Sequence, residues 1–191
     1  MRHLIARIFL SLTALCWAPW ATAQDLTATQ LTQLRAAIFA TPEAAALLSA
    51  GNSVGLRVYL STQASPDYTL WKSSLPMEEV MGNGMDWARV DNLSVGKARI
   101  WDWMGRLGTL NCAKANIRAG IDATWVGTAA DLAVRAVVYT HCKRLASNAE
   151  KLLSTGLGTV ASPSVASFEG SIGETDGSRL VFKDNGTIWT P

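Results

Sequence analysis

The chain has 191 residues, of which 49% are hydrophobic and 17% are charged. These fractions exclude a disordered chain, because disorder requires low hydrophobicity and high charge. Two of the 17 basic residues, Arg2 and Arg7, lie among the first 24 positions, and removing them leaves 15 basic residues against 15 acidic ones. We therefore expect no nucleic-acid partner, since a net charge of zero does not attract phosphate backbones.

Residues 1–24 have the layout of a secretory signal. A positively charged start precedes a largely apolar run over residues 8–20, and residues 21–23 have the small-x-small form that signal peptidase accepts. The apolar run is too short to span a bilayer, so we expect no membrane span. Residues 1–24 are predicted to be a signal peptide cleaved before Gln24, or else an extension ahead of a true start near residue 25.

Two helices are predicted over residues 25–51. Thr27 and Gln30 have the spacing of a capping box ahead of apolar residues at helical spacing. Thr41 suits an N-cap position and Pro42 suits the first turn, so a second helix is expected to begin there.

A minor β component is predicted beside these helices. Residues 54–60 alternate loosely between apolar and polar side chains, which favours a strand, and residues 68–71 favour a second one. Asn185-Gly186 is the strongest hairpin signal in the chain and predicts two short strands within residues 180–189.

Three further helices are predicted over residues 94–107, 116–125 and 128–154. The last is expected to be the longest, because Thr128 begins it with a capping-box pattern. Its expected buried stripe consists of Val134, Val138, His141, Leu145 and Leu152. Leu145→Ala is accordingly expected to destabilise the fold by about 2–5 kcal/mol, as large-to-small changes in packed cores do.

The predicted fold is mainly α with a minor β component, in one helical domain over residues 25–156. Residues 157–191 are rich in Gly, Ser and Thr and are predicted to form an arm that ends in the hairpin. An isolated hairpin is marginally stable in water, so the arm should dock on its own domain or on another chain. If it docks on another chain, truncation after Gly156 should leave a folded monomer.

Trp101 and Trp103 are the most distinctive pair of side chains on the predicted helices. Residues two positions apart point to different faces of a helix, so both indoles cannot enter the same core. Trp also anchors many protein interfaces. The candidate interface residues are Trp101, Trp103, Phe182, Ile188 and Trp189.

No motif for catalysis, cofactor binding or metal binding is recognised. Cys112 and Cys142 would pair in an oxidising compartment and would be small buried hydrophobes in cytosol. With His141 they fall short of a zinc site. Cys112 with His141 as nucleophile and base remains a weak hypothesis, because no local motif accompanies them. We predict no enzyme, no cofactor and no metal.

Four segments of the chain resemble a family of small uncharacterised phage proteins that are encoded among virion structural genes. They are residues 91–104, which read DNLSVGKARIWDWM, and residues 116–122, 125–133 and 161–170. The resemblance extends over about residues 25–170. It implies a role in the virus particle and carries over no catalytic or binding residue.

Two functions therefore stand as expectations. The first is a phage structural or assembly protein of the virion, at the head–tail junction or in the tail. It would lie in the virion or host cytoplasm and bind other virion proteins or itself. The alternative is an exported periplasmic or secreted bacterial protein that binds a partner or a small ligand, because phage components do not normally carry a secretion signal.

Overall fold

The computed structural model describes residues 25–191, so the prediction of a signal peptide lies outside the described residues. Helices make up about 53% of the structure, and a few short antiparallel strand pairs accompany them. The predicted fold class, mainly α with a minor β component, is confirmed.

Ten helices occur within residues 25–191: α1 (Ala28–Phe39), α2 (Pro42–Ser49), α3 (Ser53–Ser61), α4 (Met77–Gly82), α5 (Trp87–Asp91), α6 (Val95–Arg106), α7 (Ala115–Thr124), α8 (Ala129–His141), α9 (Asn148–Leu152) and α10 (Glu174–Val181). The strands are β1 (Thr69–Trp71), β2 (Leu75–Pro76), β3 (Thr109–Leu110), β4 (Lys143–Leu145), β5 (Ser154–Thr155) and β6 (Val165–Ala166). They form three antiparallel pairs, β1 with β4, β2 with β3 and β5 with β6. The strand predicted over residues 68–71 is confirmed as β1.

The first two helices begin where the sequence predicts. The Thr27 hydroxyl accepts a hydrogen bond from the Gln30 backbone N–H, and the Gln30 side chain accepts one from the Thr27 N–H. This reciprocal pair satisfies two of the backbone donors that every helix leaves unpaired at its N-terminus. Thr41 is the N-cap residue of α2 and Pro42 occupies its first turn.

The strand predicted over residues 54–60 is wrong, because this segment forms helix α3. The Asn52 side chain accepts a hydrogen bond of 2.8 Å from the Gly55 N–H and so caps the helix. Leu56 and Leu60 are fully buried, whereas Val58 is exposed between them. Burial at a four-residue spacing is helical, and in a segment this short it also resembles a two-residue alternation.

The helix predicted to extend to Ser154 ends at His141. Its capping box is confirmed, since Thr128 and Asp131 exchange the two expected hydrogen bonds. After Cys142 the chain becomes strand β4, which pairs with β1 in the register Thr69 to Leu145. Leu145 is consequently 45% exposed, so its predicted place in the buried stripe is wrong.

The prediction of a C-terminal hairpin over residues 180–189 is wrong for its first strand. Leu180 and Val181 belong to helix α10 and are fully buried. The turn and its closing contacts are present, since Phe182 and Ile188 form a bridge and the Lys183 N–H donates to the Thr187 carbonyl at 2.8 Å. Burial of the apolar face of α10 decides this outcome, because a strand would direct one of two adjacent residues away from the core.

The hydrophobic interior consists of two clusters. The first cluster comes from α1, α2, α3, α9 and the C-terminal region, and its buried residues are Leu26, Leu31, Leu34, Ile38, Ala44, Leu48, Leu56, Leu60, Ala149, Leu153, Phe168, Ile172, Leu180 and Val181. The second cluster comes from the middle of the chain, and its buried residues are Leu75, Met77, Val80, Met85, Trp101, Met104, Leu110, Cys112, Ile121, Trp125, Val134, Val138 and Cys142. Residues 157–191, predicted to be an arm, thus complete the first cluster.

Candidate functional site

The two tryptophans of α6 point to different faces, as their spacing predicts. Trp101 is 5% exposed and packs edge-to-face on Trp125, with ring centroids 5.2 Å apart. Trp103 is 60% exposed. Trp101 is therefore a core residue and is not available for an interface, whereas Trp103 is.

The three C-terminal interface candidates contact their own chain. Phe182, Ile188 and Trp189 are partly buried against the first cluster. The Trp189 indole N–H donates to the Phe182 carbonyl at 3.1 Å, and the Arg35 guanidinium lies 3.8 Å from the Trp189 ring centroid. Of the two docking alternatives, the structure shows the tail docked on its own domain.

Cys112 and Cys142 form a disulfide with their Cα atoms 5.6 Å apart. Both residues are fully buried. The bond connects the segment before α7 to the end of α8 and thus encloses both helices in one covalent loop. Because a disulfide sulfur is not a thiolate, the hypothesis of Cys112 as a nucleophile is wrong for this state of the protein.

His141 lies at the end of α8 and contacts α4 and the segment after it. Its Nε2–H donates to the Asn83 carbonyl at 2.9 Å, and its Nδ1 lies 3.6 Å from a carboxylate oxygen of Glu79. The hydrogen bond from Lys72 to Glu79, 2.6 Å long, lowers the pKa of Glu79. These contacts connect secondary-structure elements, which is an ordinary structural role for a partly buried histidine.

The best candidate site is a groove of about 720 Å³ on the outer side of α7 and α8. This volume lies in the range of small-molecule sites. The residues that line the groove are Trp71, Arg118, Asp122, Leu132, Arg135, Ala136, Tyr139, Thr140, Lys143 and Ala161.

Four secondary-structure elements position the functional side chains of the groove. Trp71 ends β1, Arg118 comes from α7, Tyr139 from α8, and Lys143 begins β4. Trp71 and Lys143 are register partners in the β1–β4 pair, so strand pairing places them next to each other. The disulfide joins the ends of the segments that carry Arg118 and Tyr139.

Cations dominate the charge of the groove. Its charged lining residues are three cations, Arg118, Arg135 and Lys143, and one anion, Asp122. Arg135 lies 3.4 Å from Asp122, with both side chains partly exposed, so solvent screens this pair and it contributes little to stability. The groove therefore has a local charge of +2, although residues 25–191 are neutral as a whole.

Two cations lie beside the Trp71 ring. The Arg118 guanidinium carbon is 5.0 Å from the ring centroid and the Lys143 Nζ is 5.7 Å from it. Both distances are within the range of cation–π attraction. Backbone contacts hold each cation in place, since Arg118 Nη1 donates to the carbonyls of Cys112 and Ala113 and Lys143 donates to the carbonyl of Val160.

Tyr139 supplies the second aromatic ring of the groove. Its ring centroid lies 5.5 Å from that of Trp71, with 55° between the ring planes. Burial, followed by the neighbouring Asp122 carboxylate, raises the pKa of Tyr139 to about 12. The side chain is therefore a neutral phenol at physiological pH, and its hydroxyl donates to the Arg118 carbonyl at 3.2 Å.

Sequence reasoning missed this groove. Trp71, Arg118 and the segment that carries Tyr139 and Lys143 lie far apart in the chain and belong to no local motif. The pairing of β1 with β4 brings Trp71 to Lys143, and the contact of α8 with α7 brings Tyr139 to Arg118. No signal in the sequence could have identified it without knowledge of that pairing.

Metal binding and membrane insertion find no support in the part of the chain that the structure describes. No three His, Cys, Asp or Glu side chains lie together as a metal site within residues 25–191. In the same range, no helix has the length and apolar character needed to cross a bilayer.

No known protein family, curated protein or solved structure matches the chain.

Proposed function

We propose that the protein is an exported bacterial protein, periplasmic or secreted, whose role is to bind a small ligand in the groove between β1, α7, α8 and β4. It acts without catalysis. The single observation that carries this proposal is the buried disulfide between Cys112 and Cys142.

The disulfide favours export over a cytoplasmic role. Disulfides persist in oxidising compartments, whereas the cytosol of most organisms keeps thiols reduced. The signal-like pattern of residues 1–24 points to the same compartment. Export is thus supported by two independent features, one in the leader and one in the folded domain.

The groove supports a binding role because of its size and chemistry. It combines two aromatic rings with three cations, and ligand sites commonly pair apolar surface with a few placed polar groups. The nucleophile hypothesis fails for the oxidised protein, since its thiol is part of the disulfide. Recognition is therefore the chemistry that these side chains best support.

Expression of the full chain in a Gram-negative host, followed by fractionation, tests the proposal. We expect the protein in the periplasm, beginning at Gln24, with Cys112 and Cys142 resistant to alkylation until a reductant is added. A Cys112→Ala variant serves as the control, because its Cys142 should be alkylated once the protein is denatured. A cytoplasmic protein in which Cys112 and Cys142 are both freely alkylated would overturn the proposal.

A second candidate function is a structural or assembly protein of a phage virion, at the head–tail junction or in the tail. One observation favours it besides the resemblance of residues 91–104 and the other three segments. Val95, Trp103 and Leu107 lie along α6 or at its end and are 77%, 60% and 58% exposed. Exposed large apolar side chains on one helix are typical of a protein interface, and Trp is a frequent anchor.

Sedimentation of the purified protein tests this second candidate. Self-association or binding to other virion proteins should weaken in Trp103→Ala. Leu157→Ala is the matched control, because Leu157 is 75% exposed and lies outside α6. A monomer at all concentrations that binds no virion protein, or equal behaviour of the two variants, would rule out an interface at Trp103.

A further inference from the structure

We infer that the groove takes a small organic anion in which a carboxylate or phosphate is attached to a ring. This inference rests on the proposed function, in that it names the ligand of the same groove. The anionic group would contact Arg118 and Lys143, and the ring would lie against Trp71 and Tyr139.

The charge of the groove indicates an anion. Three of its four charged side chains are cationic. Residues 25–191 have a net charge of zero, so the rest of this range is net negative. Lys143 and Arg118 are anchored by backbone carbonyls, so little side-chain entropy is lost when they meet a ligand. Preorganised cations of this kind form the stronger, charge-assisted hydrogen bonds with carboxylates and phosphates.

Arg118 retains donors for such a ligand. Its Nη1 group donates to the carbonyls of Cys112 and Ala113. A guanidinium has five N–H donors, so Nε and Nη2 hold three that these carbonyls do not use. Their fork matches the two oxygens of a carboxylate or phosphate, which a lysine alone cannot do.

The aromatic pair indicates that the anion carries a ring. Trp71 and Tyr139 are both partly exposed, and their tilted rings present two apolar surfaces beside Leu132 and Ala136. Because the phenol of Tyr139 remains neutral at physiological pH, it does not repel an anion. A bare inorganic ion would leave this apolar surface unused.

Titration of the intact oxidised protein, followed through the Trp71 indole N–H signal in NMR spectra, tests the inference. The probes are glucuronate for the carboxylate, glucose 6-phosphate for the phosphate, and glucose and inorganic phosphate for the ring and the anion alone. We expect at least one of the two sugar anions to shift the Trp71 signal and to bind more tightly than glucose or inorganic phosphate. Binding should weaken as salt rises from about 50 to about 300 mM, since salt screens exposed charges.

Three variants complete the test. Lys143→Gln and Arg118→Gln should each weaken binding of the sugar anion by about tenfold or more, given the strength of charge-assisted hydrogen bonds. Arg99→Gln, which removes an equal charge from an exposed site on α6, should leave it unchanged. Lys143→Gln keeps the test valid if Arg118→Gln fails to fold, because Lys143 is partly exposed and its side-chain hydrogen bond is to the carbonyl of Val160.

The results also separate this inference from the proposed function. Equal binding of glucose and the sugar anions, no shift of the Trp71 signal with either anion, or equal affinities of Lys143→Gln and Arg99→Gln would overturn the inference. An exported, disulfide-bonded protein that fails to bind these anions would retain the proposed function. A cytoplasmic, thiol-containing protein that binds them would lose the exported role and keep the site.

Discussion

The two hydrophobic clusters are built in opposite ways. The first cluster joins residues 26–60 to residues 149–181, so its two parts are far apart in the sequence. The second cluster comes from residues 75–142, which are continuous in sequence, and a disulfide closes it. One cluster therefore depends on long-range contacts and the other on local contacts with a covalent link.

The two clusters also differ in the types of side chain that they contain. Aliphatic residues make up nearly all of the first cluster. Phe168 is the one aromatic residue among its buried members within the described residues. The second cluster contains Trp101 and Trp125 together with three methionines and the disulfide. Methionine fills irregular space, which suits a region that packs large indoles. The groove lies beside this second cluster, on elements that the disulfide holds together.

Deletion of residues 157–191 should have the largest effect on stability, and this effect should fall on the first cluster. It removes Phe168, Ile172, Leu180 and Val181, all buried in the first cluster. Burial of each contributes roughly 1.5–3 kcal/mol, so their loss approaches the 5–15 kcal/mol stability of a whole domain. We expect the first cluster to unfold, which circular dichroism and NMR dispersion would show.

A shorter deletion provides the control. Removal of the exposed residues 190–191 should leave the fold intact. A folded, cooperative protein that lacks residues 157–191 would instead show that this segment is not needed for folding, as expected of an arm that docks on another chain.

Removal of the disulfide should have the next largest effect. The bond spans 30 positions, and the chain-entropy estimate for a loop of that length is about 3–4 kcal/mol. We expect Cys112→Ala/Cys142→Ala to lose about that much free energy of unfolding in urea. Hydrogen exchange should accelerate more in α7 and α8 than in α1 and α3. Uniform acceleration in all four helices would show that the two clusters unfold as one unit.

The pH dependence provides a finer test within the second half of the chain. The hydrogen bond from Arg89, 2.6 Å long, and those from Thr128 lower the pKa of Asp131 to about 2. An unfolded aspartate has a pKa of about 3.9, so the stability from this lowered pKa is complete above about pH 4 and is lost as the pH falls toward 2.

Urea unfolding between pH 2 and 5 measures this contribution. The free energy of unfolding should depend less on pH in Asp131→Asn than in the parent protein. Asp102→Asn is the matched control, because Asp102 is exposed and pairs only with Arg106 one turn away. Parallel pH curves for Asp131→Asn and the parent would mean that the Arg89 pair does not persist in solution.

The smallest expected effect is that of Leu145→Ala. Leu145 is 45% exposed in β4, so its truncation should change the free energy of unfolding by less than about 0.5 kcal/mol. Leu110→Ala, at a fully buried site of the second cluster, should cost about 2–5 kcal/mol. Thermal or urea unfolding of the two variants compares them directly. A loss above about 2 kcal/mol at Leu145 would place it in a core after all.

Local signals in the sequence predicted helix starts correctly. The capping boxes at Thr27 and Thr128 involve residues three positions apart, so neighbouring residues determine them. The end of α8 is different, because it depends on the pairing of β4 with β1. Strand β1 lies much earlier in the chain, before α4. Residues 54–60 do carry a local helix signal, because Asn52 is a favourable N-cap residue directly ahead of them.

The candidate site was beyond sequence reasoning for the same physical reason. Trp71 and Lys143 become neighbours only through the β1–β4 register. The predicted interface residues have large apolar side chains, and such side chains serve a core as well as a surface. Burial separates these roles, and burial depends on the whole fold.

The disulfide would keep the protein in one covalent piece even if the backbone were cut between α7 and α8. The connection between α7 and α8 contains Val126, Gly127 and Thr128, all exposed, and lies inside the loop that Cys112 and Cys142 close. A protease that cuts there would produce two polypeptides that remain joined through sulfur. The nicked protein would migrate as one species in a non-reducing gel and as two after reduction, with the arginine of α7 and the lysine of β4 on different pieces.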